Sequence, residues 1–168
     1  IGLVQTANKN GAVCANYVSL EDFRKDKSGK IYSANVTDKV TGDSFEIKSK
    51  LFVNCTGPFA DSVRLMANPS EENRINPSKG VHIMIPKKYF AGDKAMLIPK
   101  TKDGRLVFVI PFKSDIMIGT TDTKYDKLSK EPLLNKGEID FLLETAERYL
   151  KAIPKAEEIK SGFGGIRP

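Results

Sequence analysis

The chain has 168 residues, of which 40% are hydrophobic and 29% are charged, as in a soluble globular protein. Its 27 Lys and Arg residues against 21 Asp and Glu give a net charge of +6, but the lysines lie among acidic residues, which favours a solvated surface over a polyanion-binding site. The apolar runs have only the length of strands and predict no transmembrane helix, and two cysteines with one histidine leave little scope for a zinc site.

The first third of the sequence predicts a helix end followed by strands. The predicted elements are a helix end at 3–7 capped by Asn10-Gly11, a buried strand at 12–17, a turn at 27–30, and a hairpin of strands 31–40 and 44–50 around Gly42. Residues 51–55 form a continuous apolar run, which is typical of a parallel strand that is buried on both faces, with Cys55 as a small buried residue. A helix is expected at 60–67.

The residues around this apolar run resemble a known cofactor-binding arrangement. The run ends in Cys55-Thr56-Gly57-Pro58-Phe59, and a glycine at the carboxyl end of a parallel strand is a common position for ligand-contacting turns. The segment resembles the second half of the FAD-binding domain of glutathione-reductase-like flavoproteins, in the form found in the D-amino-acid-oxidase-like branch. The resemblance implies that Thr56, Gly57 and Pro58 lie close to the FAD.

The middle of the chain predicts four strands. Ser78-Lys79-Gly80 leads into a strand at 81–85, in which His82 and Met84 share one face and Val81, Ile83 and Ile85 share the other. The stretch 95–123 reads as three further strands, with a hairpin turn at Asp103-Gly104. The third strand ends in Gly119-Thr120-Thr121-Asp122, whose small polar side chains suit either a helix cap or turn, or close approach of a ligand. As the only histidine, His82 could be structural or functional.

The last part of the chain predicts a helix at 136–151 and a strand at 159–163. The apolar stripe of the helix comprises Ile139, Leu142, Leu143, Ala146 and Leu150, and its solvent-facing side comprises Glu138, Asp140, Glu144, Glu147 and Arg148. We expect the strands from 81 onward to form one largely antiparallel sheet with this helix on one face and His82 on the other. Arg167, between a double glycine and a proline, presents a guanidinium suited to carboxylate or phosphate.

Five short motifs in one order make the resemblance more specific. They are Ser78-Lys79-Gly80-Val81-His82, Asp103-Gly104-Arg105-Leu106-Val107-Phe108, Ile110-Pro111-Phe112, Ile118-Gly119-Thr120-Thr121-Asp122 and Gly164-Gly165-Ile166-Arg167-Pro168. Together they resemble the FAD-dependent glycerol-3-phosphate dehydrogenase family. The implied fold class is α/β to α+β, with the C-terminal part of a Rossmann-like FAD-binding domain at 1–72 and a mixed, largely antiparallel substrate-domain sheet, covered by helices, at 73–168.

The same resemblance implies an activity and a set of site residues. The expected reaction is oxidation of sn-glycerol 3-phosphate to dihydroxyacetone phosphate, with FAD as hydride acceptor and a quinone as final acceptor. His82 and Arg167 are the implied catalytic residues, and Thr120 and Arg167 the implied substrate-binding residues. The expected location is the mitochondrial inner membrane in a eukaryote or the cytoplasmic membrane in a bacterium, with membrane contact made by other parts of the protein.

Two other functions are compatible with these residues, and one motif of the family is missing. An amino-acid oxidase of the same fold would use an arginine fork on a carboxylate, and a non-enzymatic module could use the positive charge to bind a polyanion such as nucleic acid. The sequence contains no Gly-x-Gly-x-x-Gly phosphate-binding motif, and it begins with Ile1 and ends at Pro168. We therefore expect it to be an internal portion of a longer protein that does not retain FAD by itself.

Overall fold

The structure is a computed structural model that describes residues 1–99, 101, 104–119, 122–126, 128–129 and 131–168. These residues form a mixed α/β fold with two antiparallel sheets. The chain divides into two compact units, the first comprising Ile1–Thr56 with Ala60–Asn73, and the second comprising Gly57–Phe59 with Arg74–Pro168. In the described part of the chain, no helix combines the length and the hydropathy that a membrane crossing requires.

The first unit contains a three-stranded antiparallel sheet and two short helices. Its elements are α1 (Gly2–Lys9), β1 (Val18–Lys25), β2 (Ile31–Asp38), β3 (Ser44–Lys48) and α2 (Ala60–Ala67), with the strands in the order β1-β2-β3. Gly29 and Gly42 both have φ of +84° in the turns that join the strands, a conformation that glycine adopts without steric cost. The predicted helix end with its Asn10 cap, the hairpin and the helix at 60–67 are confirmed.

Two predicted strands of the first unit are wrong. Residues 12–17 are exposed and irregular, and the strand begins only at Val18, because Tyr17 has φ of +57° and interrupts the extended backbone. Residues 51–55 also form no strand, and Cys55 is exposed. A strand needs a hydrogen-bonded neighbour, and among the described residues β1, β2 and β3 pair only with one another. An apolar run alone was therefore an insufficient signal.

Within the described residues, the second unit is a six-stranded antiparallel sheet with one α-helix packed on it. The strands are β4 (Ser78–Pro86), β5 (Met96–Ile98), β6 (Val107–Phe112), β7 (Asp115–Gly119), β8 (Thr123–Lys124) and β9 (Ser161–Arg167), and the helix is α3 (Lys136–Ala146). The order is β5-β6-β7-β4-β8, and β9 pairs with β4. Strands β7 and β8 follow each other along one edge of β4, and β9 lies along the other edge. The predicted antiparallel sheet is confirmed, although α3 ends at Ala146 in a 3-10 turn rather than at 151.

The core of this unit lies between the sheet and α3. Its fully buried side chains come from alternate positions of the strands and from the helix stripe: Val81, Ile83, Ile85, Val107, Val109, Ile116, Ile118, Leu142 and Ala146. His82 and Met84 therefore lie on the opposite face of β4, as predicted. The prediction that Glu138 faces solvent is wrong: its side chain is buried because it forms an ion pair with Lys79.

Candidate active site on the open face of the sheet

His82 lies on the face of the sheet that points away from α3. Its strand neighbours are Gly119 of β7 on one edge and Phe163 of β9 on the other. The imidazole stacks on the Phe163 ring, with centroids 5.0 Å apart and planes 15° from parallel. A Cβ on Gly119 would lie 2.2 Å from His82 Cδ2, which no non-bonded contact permits. The imidazole therefore packs against the Phe163 ring on one side, and on the other side it occupies space that is free only because residue 119 is glycine.

The surroundings of His82 favour its neutral form. Partial burial is the larger cause that lowers the pKa of His82 from its usual 6.5, and the positive charge of Arg167 lowers it further. A neutral imidazole at neutral pH has a nitrogen lone pair that accepts a proton. The structure thus places a proton acceptor on the open face of the sheet.

Arg167 lies at the end of β9 and shares this face with His82. Its guanidinium group lies over Gly80. A Cβ on that glycine would be only 2.4 Å from Nη2 and 2.8 Å from Cζ. Nη1 is 3.5 Å from Asp122 Oδ1, and the arginine side chain remains 47% exposed. The guanidinium thus lies over the residue two positions before His82 on the same face, affects the pKa of His82, and is partly accessible to an incoming anion.

Among the predicted substrate-binding and catalytic residues, the structure brings His82 and Arg167 together and does not describe Thr120, which lies outside the described residues. The sequence motifs included Gly80, Gly119 and Asp122, but they did not predict the contacts of these residues with the two side chains, and Phe163 was not predicted as a site residue at all. Strand alternation puts Gly80 on the same face as His82. Assigning Gly119 and Phe163 needs the pairing of β4 with β7 and β9, which the sequence does not show.

The open face also carries an apolar surface on β5 and β6. Leu97, Phe108 and Phe112 alternate with core residues along their strands and are 46%, 36% and 54% exposed. Leu97 and Phe108 are direct neighbours across the strand pair, and Phe108 is in turn paired with Gly119 beside His82. Flat aromatic rings pack well on such side chains, so an apolar surface with a base and a cation at its border fits a flavin ring and an anionic substrate.

The predicted cofactor-binding loop is a turn that requires its glycine. Gly57 has φ of +56°, in the left-handed region, and begins the 3-10 turn Gly57–Phe59. The Asn54 side chain braces the loop, since its Oδ1 accepts hydrogen bonds from Thr56 N at 3.2 Å and Thr56 Oγ1 at 2.8 Å, and its Nδ2 donates to Ala60 O at 2.9 Å. The Gly57–Phe59 turn lies beside β9. Whether Thr56, Gly57 and Pro58 contact a cofactor stays a prediction.

Gly80→Ala is expected to weaken anion binding at Arg167 in the full-length protein. The new methyl group would occupy the position of the guanidinium and displace it, and loss of one hydrogen bond to a charged group costs about 1.5 kcal/mol, which is roughly tenfold in affinity. The measurement is the KM for the anionic substrate. Gly165→Ala is the matched control, because Gly165 pairs directly with Gly80 and a Cβ there would meet nothing within 4 Å. Equal effects of the two changes would contradict the expected role of Gly80.

Comparison with known proteins identifies a family and a set of relatives. The family model described as DAO, FAD dependent oxidoreductase, matches residues 1–168. The chain is 39% identical over its whole length to a protein of Caenorhabditis elegans named probable glycerol-3-phosphate dehydrogenase, mitochondrial, and covers 24% of that protein. It is 34% identical to the aerobic glycerol-3-phosphate dehydrogenase of Staphylococcus aureus (strain MRSA252), of which it covers 30%.

Solved structures agree with these sequence matches. The crystal structure of the glycerol-3-phosphate dehydrogenase from Bacillus halodurans complexed with FAD superimposes with a TM-score of 0.91 at 31% identity over 98% of this chain and 33% of that one. The L-proline dehydrogenase of P. horikoshii matches with a TM-score of 0.63 at 15% identity, which shows a shared fold alone. The chain therefore spans about a quarter to a third of the length of the proteins that it matches.

Proposed function

The chain belongs to the family of FAD dependent oxidoreductases, and on this premise we propose that the longer protein oxidises sn-glycerol 3-phosphate to dihydroxyacetone phosphate. The observation that carries the proposal is that His82, whose pKa is lowered, and the cationic Arg167 lie on one accessible face of the sheet. The names of the relatives at 33–39% identity support the choice of substrate. A base next to a cation suits a substrate with both a hydroxyl group and a phosphate.

The two side chains have distinct parts in the proposed reaction. Arg167 pairs with the phosphate of the substrate in the ground state and the transition state alike, and the C2 hydroxyl group lies next to His82. The neutral imidazole of His82 accepts the hydroxyl proton as the C2–H bond breaks, and the carbonyl of the product forms. FAD, when bound, supplies the acceptor for the hydride. The apolar surface of Leu97, Phe108 and Phe112 excludes water from one side of the reacting atoms.

The remaining parts of the proposal concern domains and partners. Residues 1–72 would contribute to the FAD-binding domain, with Thr56, Gly57 and Pro58 next to the cofactor, and residues 73–168 to the substrate-binding domain, with Thr120 near the substrate. A quinone in a membrane would take the electrons from the reduced cofactor. The eukaryotic relatives are named mitochondrial, which supports the mitochondrial inner membrane as the location in a eukaryote, and the cytoplasmic membrane is the counterpart in a bacterium.

An amino-acid oxidase of the same fold is the second candidate, because a guanidinium also pairs with a carboxylate. The deciding experiment is to purify the full-length protein with FAD and to follow flavin bleaching without oxygen, with glycerol 3-phosphate and with a panel of amino acids. Rapid bleaching by glycerol 3-phosphate alone is the expected result. Bleaching by amino acids alone would replace the proposed substrate, and bleaching by neither would remove both candidates.

The chain of 168 residues is expected not to retain FAD when it is produced alone. Its sequence lacks the Gly-x-Gly-x-x-Gly turn whose backbone N–H groups hold the FAD pyrophosphate, so the loop at Thr56, Gly57 and Pro58 would supply only one wall of the site. The measurement is flavin absorbance after incubation with FAD and gel filtration. Retention of one FAD per chain would mean that the cofactor site lies within these residues.

A further inference from the structure

A buried ion pair lies on the helix side of the sheet, directly beneath the candidate site. Lys79 Nζ is 2.8 Å from Glu138 Oε1 and donates a hydrogen bond to Oε2 at 2.9 Å, and the two side chains are only 6% and 9% exposed. Nζ also donates to the Leu133 carbonyl at 3.0 Å and lies 5.2 Å from the centre of the Tyr125 ring. The proposed reaction uses neither charge, so the pair needs a separate explanation.

Stability alone explains the pair poorly. Removing two charges from water costs several kcal/mol per ion, and an apolar pair of similar volume is often as stable or more stable. The best-attested use of such buried polar pairs is to fix one arrangement of the surrounding backbone. The backbone that this pair would fix is the first turn of α3 and the beginning of β4.

Lys79 lies close in the sheet to both members of the exposed ion pair between Arg167 and Asp122. Its backbone lies opposite Thr123 of β8 on one edge of β4 and opposite Ile166 of β9 on the other. Asp122 directly precedes β8, and Arg167 follows Ile166 in β9. Because side chains alternate along a strand, Lys79 points towards α3 while its neighbour Gly80 lies under the Arg167 guanidinium.

We propose that Lys79 and Glu138 are a positioning pair, which holds the beginning of β4 in the one place that keeps the Arg167 guanidinium over Gly80 and ready for the phosphate of the substrate. The inference deepens the proposed function and rests on it for the identity of the anion. Neither residue contacts the substrate in this arrangement. Both act through the strand that lies between them and Arg167.

The carboxylate of Glu138 is itself held firmly, as such an anchor requires. Glu138 N donates to Asn135 Oδ1 at 2.9 Å, and Asn135 N donates to Glu138 Oε2 at 2.9 Å, so the two residues form the capping box of α3. The helix in turn packs on the core of the sheet through Leu142 and Ala146. Lys79 thus ties β4 to a fixed point, and a shift of β4 along its axis would break the contacts with both Glu138 and Leu133.

The test uses the full-length, FAD-containing protein and three variants. Lys79→Met/Glu138→Gln removes both charges of the pair, while glutamine retains an oxygen for the capping box. Lys79→Met alone leaves the buried Glu138 carboxylate without its cationic partner and is expected to lower the melting temperature strongly. Lys79→Arg retains the charge, but its planar fork cannot reproduce the contacts of a single nitrogen with Glu138 and Leu133. Lys160→Met is the control. Lys160 forms an ion pair at 2.5 Å with Asp115, and Asp115 is the strand neighbour of Pro86 at the far end of β4.

Two measurements separate positioning from stability: the KM and kcat for glycerol 3-phosphate, and the Kd for inorganic phosphate from calorimetry. The double variant is expected to melt close to the wild type, with KM and Kd raised about tenfold and kcat nearly unchanged, because loss of one hydrogen bond to a charged group costs about 1.5 kcal/mol of binding. Lys79→Arg is expected to be intermediate. Lys160→Met is expected to match the wild type in both.

The outcomes distinguish this inference from the proposed function. Wild-type KM and Kd in the double variant would overturn the positioning role, as would a wild-type Kd in Lys79→Arg if the double variant fails to fold. If the wild type binds phosphate but does not oxidise glycerol 3-phosphate, the proposed function fails and the Kd values alone decide on the pair. If the wild type binds no phosphate, the anion site and its positioning pair are both wrong.

Discussion

Replacing His82 with alanine in the full-length protein is expected to lower kcat for glycerol 3-phosphate by about 10²–10⁴-fold, which is the usual contribution of a general base. Burial and the Arg167 charge lower the pKa of the imidazole and so favour its neutral form, which can accept the hydroxyl proton that must leave as the carbonyl forms. Alanine offers no proton acceptor. The measurement is the rate of flavin bleaching in a single turnover without oxygen, which isolates the chemical step from later electron transfer.

Two further variants identify the cause of this loss. His82→Gln retains a hydrogen-bonding side chain but cannot accept a proton near neutral pH, so it should be as slow as alanine if His82 is the base. If His82 only orients the hydroxyl group, glutamine should restore most of the rate. Met84→Leu is the control, because Met84 lies two residues further along the same face of β4 and keeps its bulk. An unchanged kcat in His82→Ala at every pH would contradict the catalytic role.

The pH dependence of kcat/KM should report the lowered pKa of His82. The base works only when neutral, so kcat/KM should fall as the pH drops through this pKa, with a midpoint below the usual 6.5. Arg167→Lys, which keeps the charge, should hold the midpoint low, whereas Arg167→Ala should raise it because one of the two causes is removed. The substrate for this comparison is glycerol, which has no phosphate whose titration would differ between proteins with and without Arg167. An unchanged midpoint in Arg167→Ala would show that the two groups are not coupled.

The lowered pKa of His82 also makes the stability of the fold depend on pH. A histidine with a lowered pKa binds fewer protons in the native state than in the unfolded state, so it contributes to stability above its unfolded pKa. This contribution is lost as the pH falls from about 6.5 through the lowered native value. His82→Gln should therefore show a weaker loss of stability than the wild type between neutral and mildly acidic pH, as measured by urea unfolding.

Local sequence patterns predicted the second unit well and part of the first unit poorly. The alternation of Val81, Ile83 and Ile85 with His82 and Met84 is a property of one strand, and the stripe of α3 is a property of one helix, so both could be read from the chain. Residues 12–17 and 51–55 have the composition of strands. They are not strands here because pairing depends on a neighbour, and composition does not reveal one.

For the candidate site, the sequence predicted which side chains would take part but not which residues surround them. His82 and Arg167 were chosen from motifs, and the sheet brings them to one face. Their supports were not predictable, because Phe163 and Gly119 are neighbours of His82 only through the pairing of three strands distant in sequence. The prediction for Glu138 was wrong for a related reason. A glutamate on a helix normally faces water, and the buried partner of Glu138, Lys79, lies 59 residues away in the sequence.

Replacing Arg167 with alanine is expected to raise KM for glycerol 3-phosphate, whereas replacing His82 is expected to lower kcat. A guanidinium that pairs with phosphate in the ground state and the transition state alike contributes uniform binding, so its loss should raise KM while kcat changes little. Hydrogen bonds to a charged group contribute about 1.5–3 kcal/mol, which corresponds to a rise of roughly 10- to 100-fold in KM. The measurement is steady-state kinetics of the full-length protein with glycerol 3-phosphate and with glycerol, which lacks the phosphate.

The comparison of these two substrates makes the test specific for the phosphate. Arg167→Ala should lower kcat/KM for glycerol 3-phosphate but leave the low activity on glycerol unchanged, because no phosphate contact exists to be lost. Arg148→Ala is the control, since Arg148 is exposed in the turn after α3 and carries the same charge. Asp122→Asn should act in the opposite direction and lower KM, because Asp122 Oδ1 lies 3.5 Å from Arg167 Nη1 and competes with the phosphate for the guanidinium. Equal losses on both substrates in Arg167→Ala would mean that the arginine supports the sheet rather than the substrate.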